Sequence, residues 1–530
     1  MAEPDNYRIL KLVLWSLIML LAGSIITRTV DSRREAPALL ETGHGWDKVR
    51  LVLQQIESNY VDSIDYGKVT EEILPLILSE LDPHSVYLPP KNLQEANEEL
   101  EGNFDGIGVT FNLPEDTAIV ISVIAGGPSE RAGLMSGDRI ITVDGRNVAG
   151  VRVNQDSLVS MLKGPSGSKV SLGIMRDGGM VDFDVVRDKI PVKSIDVAYM
   201  IDDTTGYMKL SKFTRTSYDE FVAALPGLQD AGMKRLIFDI RDNTGGYLDQ
   251  ALLLSNEFLP GGSLIVYMEG AHRDRQNFYA DGTGKCQDIR LSVLVNENSA
   301  SSSEIFAGAM QDNDRGTVYG RRTYGKGLVQ EQIYFTDLSG IRLTVARFYT
   351  ATGRCIQKPY TPGDELGYVY DIYERYEHGE MTNADSIVRN DSLRYVTPKG
   401  KVVYGGGGII PDVFVPVDTV GVTDLLVNIN RQALTVKYSA EVADRYRAEL
   451  RDAGTLDELN RLLDSMNLED GFLSYISGRG VSVDSRQWEI SGDIIMVQLR
   501  ALVGRYSPLD DRAFYPIIAE IDNVIQAAVK

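Results

Sequence analysis

Hydrophobic residues change their spacing along this chain, and the change dictates several packed layers instead of one core. From residue 102 to 188 the pattern is one of short strand-like runs, such as 118–124, 169–175 and 181–186, separated by Gly and Pro; the second and third alternate apolar with polar positions. A two-residue period is that of half-buried strands. From 190 to about 357, strand-like runs (206–210, 236–240, 291–295) alternate with helical ones (218–231, 303–311), the order expected of an α/β layered core. Residues 36–100 carry helical spacing, with Val49, Val52, Leu53 and Ile56, then Val69, Ile73, Ile77 and Leu81. The last hundred residues return to it, as over 440–463 and 514–529, whereas 358–405, rich in Tyr, Asp, Glu and Gly, shows no clear period. The expected organisation is therefore a terminal segment 1–35, a helical segment 36–100, a β-rich module 101–189, an α/β core 190–420 with an insertion 358–405, and a helical region 421–530.

At 530 residues and ~150 residues per domain, three to four domains are expected. The formal net charge of −21 repels phosphate backbones, no local basic patch offsets it, and nucleic acid is not an expected partner. Two Cys, Cys286 and Cys355, and four scattered His give neither a disulfide scaffold nor a zinc site at ligand spacing. Two buried free thiols are expected. Residues 9–26 form one largely apolar stretch whose single charge is Lys11; at 18 residues it just spans a bilayer. The small-residue pattern Ala22-Gly23-Ser24 is a weak cleavage signal, so an uncleaved anchor is preferred to a signal peptide.

Two segments carry chemistry. Gly106-Ile107-Gly108-Val109, just before an alternating strand, can turn backbone N–H groups inward as a nest for a carboxylate, while the strand offers an edge to an extended peptide. The second is Ser299-Ala300-Ser301-Ser302-Ser303-Glu304-Ile305-Phe306, at a strand-turn-helix junction where N–H donors are free and the helix end is positive. The same residues also spell a helix capping box. Downstream lies Thr323-Tyr324-Gly325-Lys326-Gly327-Leu328-Val329-Gln330. A serine needs a base, no local His is available, and a buried, neutral lysine can serve. The even spacing of Lys326 and Gln330 puts them on one side of a strand if Gly327 bends the chain.

The first segment, with Ala132-Gly133-Leu134 and Gly137-Asp138-Arg139-Ile140-Ile141 after it, closely resembles a PDZ domain, whose family role is capture of C-terminal tails. The second and third resemble the C-terminal processing, or tail-specific, serine peptidases. Leu81-Asp82-Pro83-His84-Ser85, Asp239-Ile240-Arg241-Asp242-Asn243-Thr244-Gly245-Gly246, Gly353-Arg354-Cys355-Ile356-Gln357 and Gly408-Ile409-Ile410-Pro411-Asp412 extend that likeness over about residues 45–415. It implies an α/β fold, a crotonase-like peptidase core with an inserted or preceding PDZ module and helical N- and C-terminal segments. It also implies a serine-lysine dyad: Ser301 as nucleophile, Lys326 as base, Gln330 assisting. An oxyanion hole is expected from the N–H of Ser302 and of Gly245 or Gly246. Ser302 stands where the family usually has Ala, Cys355 where Ser is common, and 358–405 separates motifs that usually lie close. The resemblance implies substrates with apolar C-terminal tails, no metal or cofactor, and a location in the bacterial cell envelope, anchored in the inner membrane by 9–26 with the catalytic part in the periplasm. It leaves homo-oligomerisation open. The rival is a catalytically silent PDZ adaptor in which Ser301 is a helix cap. Acyl-CoA chemistry would rest on the fold alone.

Overall fold

The computed structural model describes residues 11–21, 45–113 and 116–530. It divides into two compact units, 1–73 and 74–530. In the first, helix Gly45–Asn59 buries none of its residues and leaves Trp46, Val49 and Val52 exposed. Residues 9, 10 and 22–26 of the expected anchor lie outside the described residues, and 11–21 form an exposed helix. Among the described residues no helix is long and apolar enough to cross a membrane.

In the second unit a six-stranded sheet runs in the order Ile195–Met200, Thr205–Leu210, Arg235–Asp239, Arg290–Val295, Thr317–Gly320, Val413–Phe414. The first pair is antiparallel and every later pair parallel. Parallel strands must be covered on both faces, and alternation along them supplies two cores. Met208, Leu236, Phe238 and Val293 pack with helices Ser217–Asp230, Leu248–Phe258 and Ser302–Asp312 through the ring contacts of Phe221, Phe238, Phe258 and Phe306. Tyr207, Ile237 and Leu294 face the other way, onto Val524, Ile525 and Ala528 near the C-terminus. A second, antiparallel sheet joins Val86–Leu88, Gly340–Thr350, Leu264–Gly270 and Arg273–Tyr279, with Leu328–Tyr334 also paired to Gly340–Thr350.

The β-rich module is a separate sheet in the order Val109–Asn112, Ala118–Val123, Arg139–Val143, Lys169–Arg176, Gly179–Val186, with Arg146–Asn147 beside the third strand. Its entry and exit strands, Asn103–Gly106 and Asp188–Pro191, pair with each other, so both connections leave at one place. Residues 358–405 contain helix Glu365–Glu377 and a hairpin of Arg394–Val396 with Val402–Tyr404, elements the sequence pattern did not reveal. The helical stretch expected over 440–463 is three helices, Leu434–Arg445, Arg447–Asp452 and Leu456–Ser465, the last started by a Thr455–Glu458 capping box. Cys286 and Cys355 are both free; Cys286 is buried as expected, and Cys355 is half-buried.

Candidate active site

Three parallel strands end at three turns, 240–246, 296–301 and 321–326, at the carboxyl edge where open α/β sheets place ligands. The turns are tied together. Asp242 N–H donates to Asn296 Oδ1 (2.9 Å), Ala300 N–H to the Asn243 carbonyl (3.0 Å), and Tyr324 N–H to the Ser299 carbonyl (3.0 Å).

Ser301 opens helix Ser302–Asp312 at φ 57°, ψ −114°, whereas an ordinary cap residue is extended. The backbone half of the capping box is present, Glu304 reaching back to the Ser301 N–H, an arrangement common to a cap and to a nucleophile. Its Glu304, 0% exposed, has a wider task than the cap motif implies. One oxygen accepts from Ser301 N–H (2.9 Å) and Lys326 N–H (2.8 Å), the other from Thr323 Oγ1 (2.5 Å) and Gly325 N–H (2.8 Å). One buried carboxylate thus fixes the backbone of both expected dyad members.

Lys326 lies in the turn before strand Leu328–Tyr334, not in the strand. A register shift between Val329 and Gln330 turns the Gln330 side chain to the amine, and Lys326 Nζ donates to Gln330 Oε1 at 2.8 Å. Gly327 is required by close approach, since a Cβ there would meet Gln357 N at 2.7 Å. Burial pushes the Lys326 amine down to about 8; Arg342 adds to the shift, and Asp82 and Glu304 oppose it.

Gly245 and Gly246 come up against Ser301 as expected: a Cβ on Gly245 would lie 2.8 Å from Ser301 Cβ. The two glycines are not equivalent, however. The Gly245 N–H is held by Asn243 Oδ1 (2.9 Å), while among the described residues the Gly246 and Ser302 amides carry no internal hydrogen bond. The extra hydroxyl of Ser302 is committed to the Gly246 carbonyl (2.9 Å), and that of Ser303 to the Asn243 carbonyl (2.8 Å).

His84 is a neighbour of the lysine that sequence spacing does not reveal. Its carbonyl accepts from Gln330 Nε2, its Nε2 shares a hydrogen bond with Tyr368 Oη (2.9 Å), and burial, then Lys326, push the ring down to about 4. Asp82 of the same motif accepts from the His84 and Ser85 amides and from Thr344 Oγ1. The motif residues 81–85 were legible, but their place was not, because 242 positions separate His84 from Lys326.

The Gly106-Ile107-Gly108-Val109 loop belongs to the other module. The Ile107 and Gly108 carbonyls accept from Ser129 N–H and Ile124 N–H at 3.0 Å, and among the described residues their own amides carry no internal hydrogen bond. Gly108 has φ +75°. The strand that follows, Val109–Asn112, is the terminal strand of its sheet.

The sequence matches peptidase family S41 over residues 204–366, a PDZ domain over 106–186, and a family of unknown function over 425–507. Carboxy-terminal processing protease CtpA of Bacillus subtilis is 32% identical over 356 residues, 66% of this chain and 76% of that protein. The carboxy-terminal-processing protease of Bartonella bacilliformis is 31% identical over 350 residues, 64% of this chain and 78% of that protein. A solved photosystem II D1 C-terminal processing protease is 24% identical, covering 71% of this chain and 89% of its own, with a TM-score of 0.37. The chain belongs to peptidase family S41. It is a serine peptidase, a hydrolase, and carries a PDZ domain.

Proposed function

We propose that this peptidase captures the apolar C-terminal tail of a protein or peptide on residues 106–109 and cleaves the chain upstream through an acyl-enzyme on Ser301. The tail would extend along the open edge of Val109–Asn112, its carboxylate on the amides of the preceding loop. Neutral Lys326 takes the Ser301 hydroxyl proton as the oxygen attacks the scissile carbonyl. The resulting oxyanion is met by the Ser302 and Gly246 amides. When the C–N bond breaks, the ammonium of Lys326 gives its proton to the leaving amine. Lys326 then deprotonates water, which releases the acid and restores the serine. Gln330 orients the amine.

The observation that carries this reading is the Glu304 carboxylate joined to the backbone of both Ser301 and Lys326, with the lysine amine buried. An apolar run at 9–26 and the relatives' processing activity support a place in the cell envelope, outside the cytoplasm and held at the membrane. The test is incubation of the chain with a peptide carrying an apolar free C-terminus, followed by mass spectrometry of the products. Wild type should cleave it and Ser301→Ala should not; cleavage by Ser301→Ala at an undiminished rate overturns the assignment.

A further inference from the structure

One strand of the PDZ domain serves two cores. In Ala118–Val123, Ala118 and Val120 face the domain's own interior, while Ile119 and Ile121 are buried among the C-terminal helices; successive strand residues point to opposite faces. The same strand pairs directly with the tail-receiving one, Thr110 opposite Ser122 and Asn112 opposite Ile119. Polar contacts fix the seating. Arg139 forms an ion pair with Asp444. Arg447 Nη2 donates to the Gly137 carbonyl (2.9 Å), and the guanidinium lies so close that a Cβ on Gly137 would meet its carbon at 2.7 Å.

The far end of the same helical region is plugged into the peptidase sheet. Tyr515 Oη donates to Asp196 Oδ2 (2.9 Å), Arg241 Nη2 to Asp522 Oδ2 (2.8 Å), and Val524, Ile525 and Ala528 cover Tyr207, Ile237 and Leu294. Arg241 lies in the same turn as Gly245 and Gly246. A domain joined to its neighbour through one two-stranded ribbon would be expected to swing, unless a sizeable apolar interface holds it. Here residues 424–529 supply that interface on one side and an anchor on the other.

We propose that the C-terminal helical region is a rigid seat that fixes the PDZ domain at one distance from Ser301, so that cleavage falls a set number of residues from the tail's C-terminus. The inference rests on the reading that tails are captured at 106–109 and cut at Ser301. It gives a task to residues 425–507, which match a family without one.

The test uses the full chain and unstructured peptides that share one apolar free C-terminus and differ in upstream length. Wild type should give one dominant product, at the same distance from the C-terminus in every peptide. Asp444→Arg sets like charges against Arg139 and Arg447, and Ile121→Asp puts a charge into the apolar contact. Each should raise hydrogen exchange along 118–123, leave the Kd for the tail peptide unchanged, and spread cleavage over several positions. Combining Arg139→Asp with Asp444→Arg rebuilds the ion pair across the contact and leaves only the repulsion with Arg447, so the spread of products should narrow toward the wild-type position. A variant with raised exchange that still cuts at the wild-type position overturns the proposal, and so does unchanged exchange in both single variants. Failure of the tail reading would look different: wild type would then bind a free acid and its amide equally well, while the exchange results, which need no turnover, would stand.

Discussion

A serine held at φ 57°, ψ −114° is strained by about 1–3 kcal/mol, and such strain persists only where the surroundings over-determine it. At Ser301 they do: Glu304 grips its N–H, and the helix behind it is buried throughout. Glu304→Gln keeps the size but turns two acceptor positions into N–H donors that face donor amides, so turnover should fall by at least tenfold while the chain still folds. Glu304→Ala should also lower the denaturant midpoint, since it leaves buried amides unpaired at about 1–3 kcal/mol each. Ser302→Ala removes one hydrogen bond to the Gly246 carbonyl, worth about 1 kcal/mol, and should slow cleavage only severalfold. Lys326 allows a test of opposite sign. An amine pushed down to about 8 destabilises the fold at neutral pH by about 3 kcal/mol, because its charged form is favoured in the unfolded chain. That cost is fully present below about 8 and disappears as pH rises into the ordinary lysine range. Lys326→Met should therefore abolish turnover yet raise the unfolding free energy at pH 7, with a gain that shrinks toward pH 10 in denaturant titrations.

Helix Glu365–Glu377 bears on the turn that carries Lys326 from the insertion. Its Tyr368 meets His84 and Gln357, and its Arg375 donates to the carbonyls of Arg322 and Thr323. Glu380, buried, pairs with both Arg322 (2.7 Å) and Arg375 (2.9 Å). Glu380→Ala would leave the buried Arg375 and the half-buried Arg322 without their shared partner, a loss of about 3–5 kcal/mol. A lower denaturant midpoint, with turnover reduced because the 321–326 turn loosens, is the expected outcome. In this helix Leu366, Val369, Tyr370, Tyr373 and Tyr376 stand at helical spacing but form an exposed stripe, while Tyr368 and Arg375 are the residues buried; the apolar stripe therefore does not mark the face that packs. The strands 118–124 and 291–295 were legible because their environments are regular: one alternates between two cores, the other is buried on both faces. The contact of Gln330 with Lys326 and the approach of Gly245 to Ser301 were legible through short motifs at a fixed spacing; the roles proposed for Ser301, Lys326 and Gln330 rest on the resemblance those motifs carry. The second task of Glu304, the choice between Gly245 and Gly246, and the approach of His84 were not legible. Each depends on which backbone amides face one another across turns that sequence spacing does not record.

Across the whole molecule, the proposed function asks a tail site on one sheet and a nucleophile at the edge of another to act on one substrate. Amidating the tail removes the charge that the amides at 106–109 would receive. A charge-assisted bond of that kind is worth ~1.5–3 kcal/mol, so binding of the amide should be weaker by about one to two orders of magnitude in titration calorimetry. Cleavage of the free acid should rise with pH through about 8, as Lys326 loses its proton. The measurement that tests the account most directly is location of the acyl group. The full chain is quenched during turnover of an activated ester, its mass is read, and the modified residue is mapped by fragmentation. The account predicts an acyl adduct on Ser301, absent from Ser301→Ala and lost with Lys326→Ala. An adduct on Ser302 or Ser303, or turnover by Ser301→Ala at the wild-type rate, would contradict it.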